Sequence, residues 1–298
     1  MLPAASELWT ERVCCCGGPE QKSLRCGAIN SEIQMKFSSL VRRLGAFLAA
    51  GVLSFSSHAA PTTQLGFLVD ASGSIGAPNF NLMRAGYVAA LNAIPVDGTI
   101  EVTMFTFATG AVQVIAPTVL TAASRPLMIA AINAMAFTAG GTNTAAGING
   151  ISLAMVASSS YSAGLRSIIN LATDGVPNDQ AAAEASALAA RNRGIDALTA
   201  EAIGQFNSAG LLDMVFSPLT TAGTVGNGVL LALGATPPNP MTSQPWVLPV
   251  NSFNDFQTAI VAKVIAVTQT VPEPSALALV GLALVGMGMT RRRAALAA

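Results

Sequence analysis

The 298-residue chain has room for one large domain or two small ones, and its 10% charged content with a mean hydropathy of +0.55 points to membrane-directed segments beside a globular part. Its formal net charge is zero, but between Ala60 and Pro274 eleven acidic side chains stand against six basic ones, with no cluster of bases. That balance is poorly suited to holding a row of phosphates and argues against nucleic acid as a partner.

In chain order, residues 1–34 come first and hold all four cysteines, Cys14, Cys15, Cys16 and Cys26. No further ligands stand near the cysteine triplet at metal-binding spacing. Residues 35–59 then read as a secretory signal helix. Lys36, Arg42 and Arg43 precede the apolar run Leu44 to Phe55, and Ser57-His58-Ala59 offers a small-x-small cleavage site. Met35 is therefore the better start, and residues 1–34 are read as an over-extended gene-model start, disordered where translated. Beyond the signal the chain has no cysteine, so an exported domain here relies on no disulfide.

Residues 60–270 alternate short apolar runs with longer helical patterns, the signature of a parallel sheet flanked by helices. "QLGFLVD" (64–70) is a central strand, continuously apolar because both faces are covered. "NFNLMRAGYVAALNAI" is a helix entered at Pro78 and Asn79, with Phe80, Met83, Tyr87, Val88, Leu91 and Ile94 as its core stripe. "TIEVTMFTFAT" (99–109) and "AVQVIAPTVL" form a hairpin turned at Gly110. A helix over Ser124 to Met135 takes Ser124 as N-cap and Pro126 in its first turn. "FTAGGTNTAAGINGISLAMVAS" passes from a glycine loop into a third helix, and "RSIINLATDGVPND" is a buried strand ending in an acid. A fourth helix closes at Gly194, and a strand covers 195–203. From Phe206 to Pro249 the pattern is weak and proline-rich; "PWVLPV" (245–250) is a last strand and a helix begins at Ser252. The expected fold is α/β: a doubly wound, mostly parallel central sheet in three layers, with its site at the carboxyl ends of the strands.

Residues 271–298 close the chain. Pro272-Glu273-Pro274 leads into an apolar stretch, Ala276 to Met289, capped by Arg291, Arg292 and Arg293. Taken alone this reads as a C-terminal transmembrane anchor whose arginines stay cytoplasmic, although the stretch is shorter than the roughly 20 residues that span a bilayer comfortably. The order of parts resembles the PEP-CTERM sorting signal of exopolysaccharide-producing Gram-negative bacteria. That resemblance implies recognition and cleavage by an exosortase, with the membrane engaged through the C-terminal helix before processing.

Oxygen-bearing side chains gather on three of the loops. Asp70, Ser72 and Ser74 form Asp-x-Ser-x-Ser after the first strand, Thr142 lies in "GGTNT", and Asp174 ends "NLATDG". Singly, each is the kind of residue that turns a chain or caps a helix. Converging, they offer two carboxylates and three hydroxyls, hard donors suited to magnesium or manganese. Their order along the chain resembles the von Willebrand factor type A domain, over Gln64 to Lys263. In that family the matching positions make a metal-ion-dependent adhesion site. The resemblance implies that Ser72, Ser74 and Thr142 place hydroxyls on the ion while Asp70 and Asp174 act largely through water. It also implies an open position for an acidic group of a partner.

Two enzymatic chemistries fit less well. A phosphoryl-transfer nucleophile at Asp70 needs a second acid two residues on, where Ser72 stands. A serine hydrolase needs a base, and the sole histidine, His58, lies in the signal. The expectation is thus an exported binding protein of the cell envelope, cell surface or matrix, and not an enzyme. The rival is a structural component of the exopolysaccharide matrix whose metal site is only stabilising or vestigial.

Overall fold

The computed structural model describes residues 60–162, 164–204 and 208–268. The leader, the signal and the sorting tail lie outside the described residues. Among the described residues no helix is long and apolar enough to cross a membrane.

Strand β1, Thr63–Asp70, is buried along its whole length. Helix α1 (Ala77–Ala93) follows, then the hairpin of β2 (Asp97–Phe107) and β3 (Ala111–Thr121). Helices α2 (Ser124–Asn133) and α3 (Thr144–Val156) precede β4 (Arg166–Thr173). The chain continues through α4 (Gln180–Asn192), β5 (Ala197–Ile203) and the short α5 (Ala209–Leu212) to β6 (Val229–Leu230), β7 (Trp246–Val250) and α6 (Phe253–Thr268). The strands form one seven-stranded sheet in the order β3-β2-β1-β4-β5-β7-β6. All neighbours are parallel except β2 and β3.

Alternate residues of β1 feed two cores. Leu65, Phe67 and Val69 pack with Phe80, Met83 and Tyr87 of α1 and Phe256, Ile260 and Val264 of α6. Leu68 packs on the opposite face with Ile148, Ile151 and Met155 of α3 and Ala183 and Ala187 of α4. Each fully buried large side chain contributes about 1.5–3 kcal/mol, so a strand fed on both sides can read as an unbroken apolar run. Gly66 interrupts that run where a helix comes closest: a Cβ there would lie 2.6 Å from Met155 Sδ.

Near the amino ends of β1 and β2, Gln64 and Glu101 are tied together by buried hydrogen bonds. Gln64 Nε2 donates to Glu101 Oε1 at 2.6 Å and to the Met155 carbonyl at 3.0 Å, while Ser158 Oγ donates to Glu101 Oε2 at 2.9 Å.

Two local expectations change. Ser124 does not cap α2: the N-cap is Ala123, without a side-chain cap. The Ser124 hydroxyl is used by the end of β3, accepting from the Thr121 amide at 2.8 Å and donating to the Val119 carbonyl at 2.7 Å. The weak region contains more order than its composition suggests. Phe216 pairs with Leu198 in an isolated antiparallel bridge, and Arg191 donates to the carbonyls of Thr220, Thr221 and Thr224, holding that loop against α4.

Candidate metal centre

The chain leaves β1 toward α1 and β2 on one side, and leaves β4 toward α4 and β5 on the other, so the strand order reverses between β1 and β4. Loops that diverge at such a point leave a crevice at the carboxyl ends of the strands. Asp70 ends β1, and Asp174 directly follows β4.

Hydrogen bonds link four of the five expected residues in a chain. Asp70 Oδ1 accepts from the Ser72 amide at 2.7 Å. The Ser72 and Ser74 hydroxyls are 3.1 Å apart, and Ser74 Oγ donates to Asp174 Oδ1 at 2.7 Å. Thr142 stands beside this chain near Gly175: the point where a Cβ of that glycine would stand lies 3.6 Å from Ser74 Oγ and 3.9 Å from Thr142 Oγ1. The structure therefore brings all five side chains to one end of the sheet. Asp70 and Ser72 are buried, Thr142 and Asp174 half-buried, and Ser74 exposed, so the cluster opens outward on its Ser74 side.

The loops carrying these groups brace one another. Gly73 donates from its amide to the Gly140 carbonyl at 3.0 Å. Asn143 caps α3 by accepting from the Ala146 amide at 3.1 Å, and its Nδ2 donates to the Thr109 carbonyl at 3.1 Å. Before the helix the backbone turns through left-handed conformations at Ala139 (φ 55°) and Gly140 (φ 92°). The first of these is costly for a residue with a Cβ, and such strain persists only where the surroundings impose it.

Two residues of the site do not stand out in the sequence. Thr173 donates from Oγ1 to Asp70 Oδ2 at 2.5 Å. Asn178 accepts from the Thr142 amide at 3.0 Å and donates from its own amide to the Thr142 carbonyl at 2.9 Å. A hydroxyl beside the second acid, and an Asx residue four positions after it, were the available signals.

Electrostatically the cluster is unbalanced. Burial pushes the Asp70 carboxyl above the usual carboxylate range, against the pull of its bonds from Ser72 and Thr173, and the nearby Asp174 charge adds to the rise. Burial likewise raises Asp174, against its bond from Ser74. Among the described residues the one salt bridge joins Lys263 to Glu201, so neither aspartate has a basic partner. Nor do three His, Cys, Asp or Glu side chains cluster anywhere among the described residues. The donors gathered here are hydroxyls and two acids, which match a hard divalent cation and not a soft one. A separate cavity of about 640 Å³, lined by Leu233, Pro237, Leu248, Asp255 and Ala259 among others, shares no residue with this cluster.

The family model described as von Willebrand factor type A domain matches residues 64–224, just over half of the chain, and one described as PEP-CTERM protein-sorting motif matches residues 270–293. No curated protein matches. Three of the solved structures it is similar to illustrate the fold. One is proximal thread matrix protein 1 from the mussel byssus, 19% identical with a TM-score of 0.52, covering 69% of this chain and 48% of that one. Another is the pilus adhesin SpaC from Lactobacillus rhamnosus GG in its open conformation, 14% identical with a TM-score of 0.51, covering 69% and 30%. The third is a von Willebrand factor type A protein from Catenulispora acidiphila, 14% identical with a TM-score of 0.50, covering 70% and 43%. The chain thus spans about half the length of the mussel protein and less of the other two. At these identities the likeness is one of fold. The sheet order, the crevice between β1 and β4 and the family-model match together make this chain a member of the von Willebrand factor type A domain family, carrying a PEP-CTERM sorting motif behind the domain.

Proposed function

We propose that the chain is an exported binding protein that holds a divalent cation, magnesium or manganese, at the cluster and grips an acidic group of a protein or polysaccharide through it. The observation that carries this reading is the pairing of Asp70 and Asp174 through Ser72 and Ser74 with no basic side chain beside either acid. Ser72, Ser74 and Thr142 would offer hydroxyl oxygens to the ion. Asp70, with both oxygens already bonded to Ser72 and Thr173, would orient the loop, and Asp174 would fix the Ser74 hydroxyl. The ion would supply a positive charge with a position left for a partner's carboxylate, a bridge and not a Lewis acid. The absence of histidine and cysteine from residues 60–268 supports a site built for holding rather than for proton transfer. The sorting motif supports delivery to a Gram-negative cell surface or matrix by an exosortase-type enzyme, with a basic C-terminal end.

Titration calorimetry of metal-free protein with magnesium tests the site. The expected result is a saturable heat that Asp174→Ala and Asp70→Ala each abolish without unfolding the domain. Unchanged affinity in both variants overturns the reading. Binding to isolated exopolysaccharide or envelope protein, measured with magnesium and then with chelator, distinguishes adhesion from the matrix role. Retention that survives chelation in a folded protein favours a structural component of the matrix.

A further inference from the structure

The face of the sheet beneath α1 and α6 buries an ion pair. Lys263 Nζ of α6 lies 2.6 Å from Glu201 Oε1 of β5, with the two side chains 2% and 0% exposed. The ammonium sits 4.9 Å from the centroid of the Trp246 ring. Asn170 of β4, also buried, shares this face. It stands opposite Thr199, and Ala172, two residues on, stands opposite Glu201. That diagonal is within reach of long side chains. Asn170 is near enough to the Glu201 carboxylate and the Tyr87 hydroxyl to favour the ionised form of each, yet no side-chain nitrogen or oxygen of Asn170, Glu201 or Lys263 completes a well-aligned hydrogen bond.

A lysine and an asparagine therefore flank one carboxyl group in a dry, aromatic-lined interior. Keeping both charges there is costly. Burial drives Glu201 up and Lys263 down, each partly offset by the other's charge. Moving the shared proton onto the carboxylate leaves a neutral acid and a neutral amine, and a neutral amine is the nucleophilic form of lysine.

We propose that Lys263 and Asn170 are joined after folding by an isopeptide bond, with Glu201 carrying the protons. The Glu201 carboxylic acid polarises the Asn170 carbonyl by donating to Oδ1. The Lys263 amine attacks Cγ, forming the Nζ–Cγ bond. Glu201, ionised once its proton has passed to Oδ1, takes the surplus proton from Nζ and hands it to Nδ2; the carbonyl re-forms and returns the Oδ1 proton to Glu201, the Cγ–Nδ2 bond breaks, and ammonia leaves. No oxidant, reductant or cofactor is required, and Glu201 ends as it began. The product ties α6 to the centre of the sheet by a link that ignores redox conditions. An exported domain whose cysteines all lie at or before Cys26 has no disulfide to serve that purpose.

Peptide mass spectrometry of the full chain decides. Trypsin should fail to cut after Lys263, and a branched peptide containing Asn170 and Lys263 should appear at about 17 Da below the summed masses of its two arms. Glu201→Gln, which keeps the shape and loses the proton carrier, should yield the two arms unlinked while circular dichroism shows the fold retained. Recovery of ordinary linear peptides with cleavage after Lys263 from the unsubstituted chain overturns the proposal, whether or not the variant folds. A Glu201→Gln chain that still carries the link overturns the role of Glu201.

Discussion

Thr173 Oγ1 donates to Asp70 Oδ2 at 2.5 Å across 103 positions of sequence, so the residue that introduces the second acid of the site also holds the first. A hydrogen bond to a charged group contributes about 1.5–3 kcal/mol, and roughly 1.4 kcal/mol is tenfold in affinity. Thr173→Val keeps the shape and removes the donor. Magnesium affinity measured by calorimetry is expected to fall by about tenfold or more, with the far-ultraviolet spectrum unchanged. An unaltered Kd would show that Asp70 is positioned without this bond.

The two aspartates also set a dependence on pH. Both carboxyls titrate above their unfolded value of 3.8 because burial disfavours the charge. Between 3.8 and the raised native values the folded chain binds more protons than the unfolded one, so stability falls as pH rises through that window. Urea denaturation of the metal-free protein should show greater stability in this acidic window than above it, as far as these two groups contribute. Saturating magnesium should reverse the trend, since the cation favours the ionised acids. Identical pH profiles with and without magnesium would separate the aspartates from metal binding.

Gly140 is the third test. Its φ of 92° suits glycine, a Cβ there would lie 2.5 Å from Thr109 Oγ1, and its carbonyl accepts from Gly73 inside the Asp-x-Ser-x-Ser loop. Gly140→Ala is expected to cost about 1–3 kcal/mol in urea denaturation and to weaken magnesium binding as the Ser72 loop loses its brace. Gly110→Ala, at a position with open space around the new Cβ, is the control and should leave binding unchanged.

Ala139 offers the converse. It holds φ at 55° with a side chain present, so Ala139→Gly relieves steric cost in the native state while adding freedom to the unfolded chain. These effects oppose each other, and the expected change in stability is below about 1 kcal/mol in either direction. Thermal denaturation would register a larger loss if the methyl group packs against the loop.

Much of this arrangement was legible in the sequence because it is local. An apolar run without alternation, ended by Asp70, announces a strand covered on both sides, and Gly140-Gly141-Thr142 before an apolar helical pattern announces a helix entry. The site residues could be grouped because each falls where a strand ends or a helix opens. Thr173 could not be singled out, since its partner Asp70 lies far away in sequence and a threonine closing a strand is ordinary. The Lys263–Glu201 pair was hidden for a related reason: a lysine in a helix reads as solvated until the fold places a buried strand carboxylate beneath it. Between residues 213 and 228 order comes largely from carbonyls gathered by Arg191 and from one bridge at Phe216, neither of which leaves a periodic trace.

The sheet ends at β6, two residues long, beside a β7 that contains Pro249. The Val247 carbonyl accepts from the Leu231 amide, and Pro249, two positions on, turns its missing N–H toward the same side, past the end of β6. This margin of the sheet is a blunted one: a foreign strand laid along it would find a short template and a gap in the donors. Crowded copies of the protein are thereby hindered from zippering along this margin, whereas the opposite margin is formed by the longer β3.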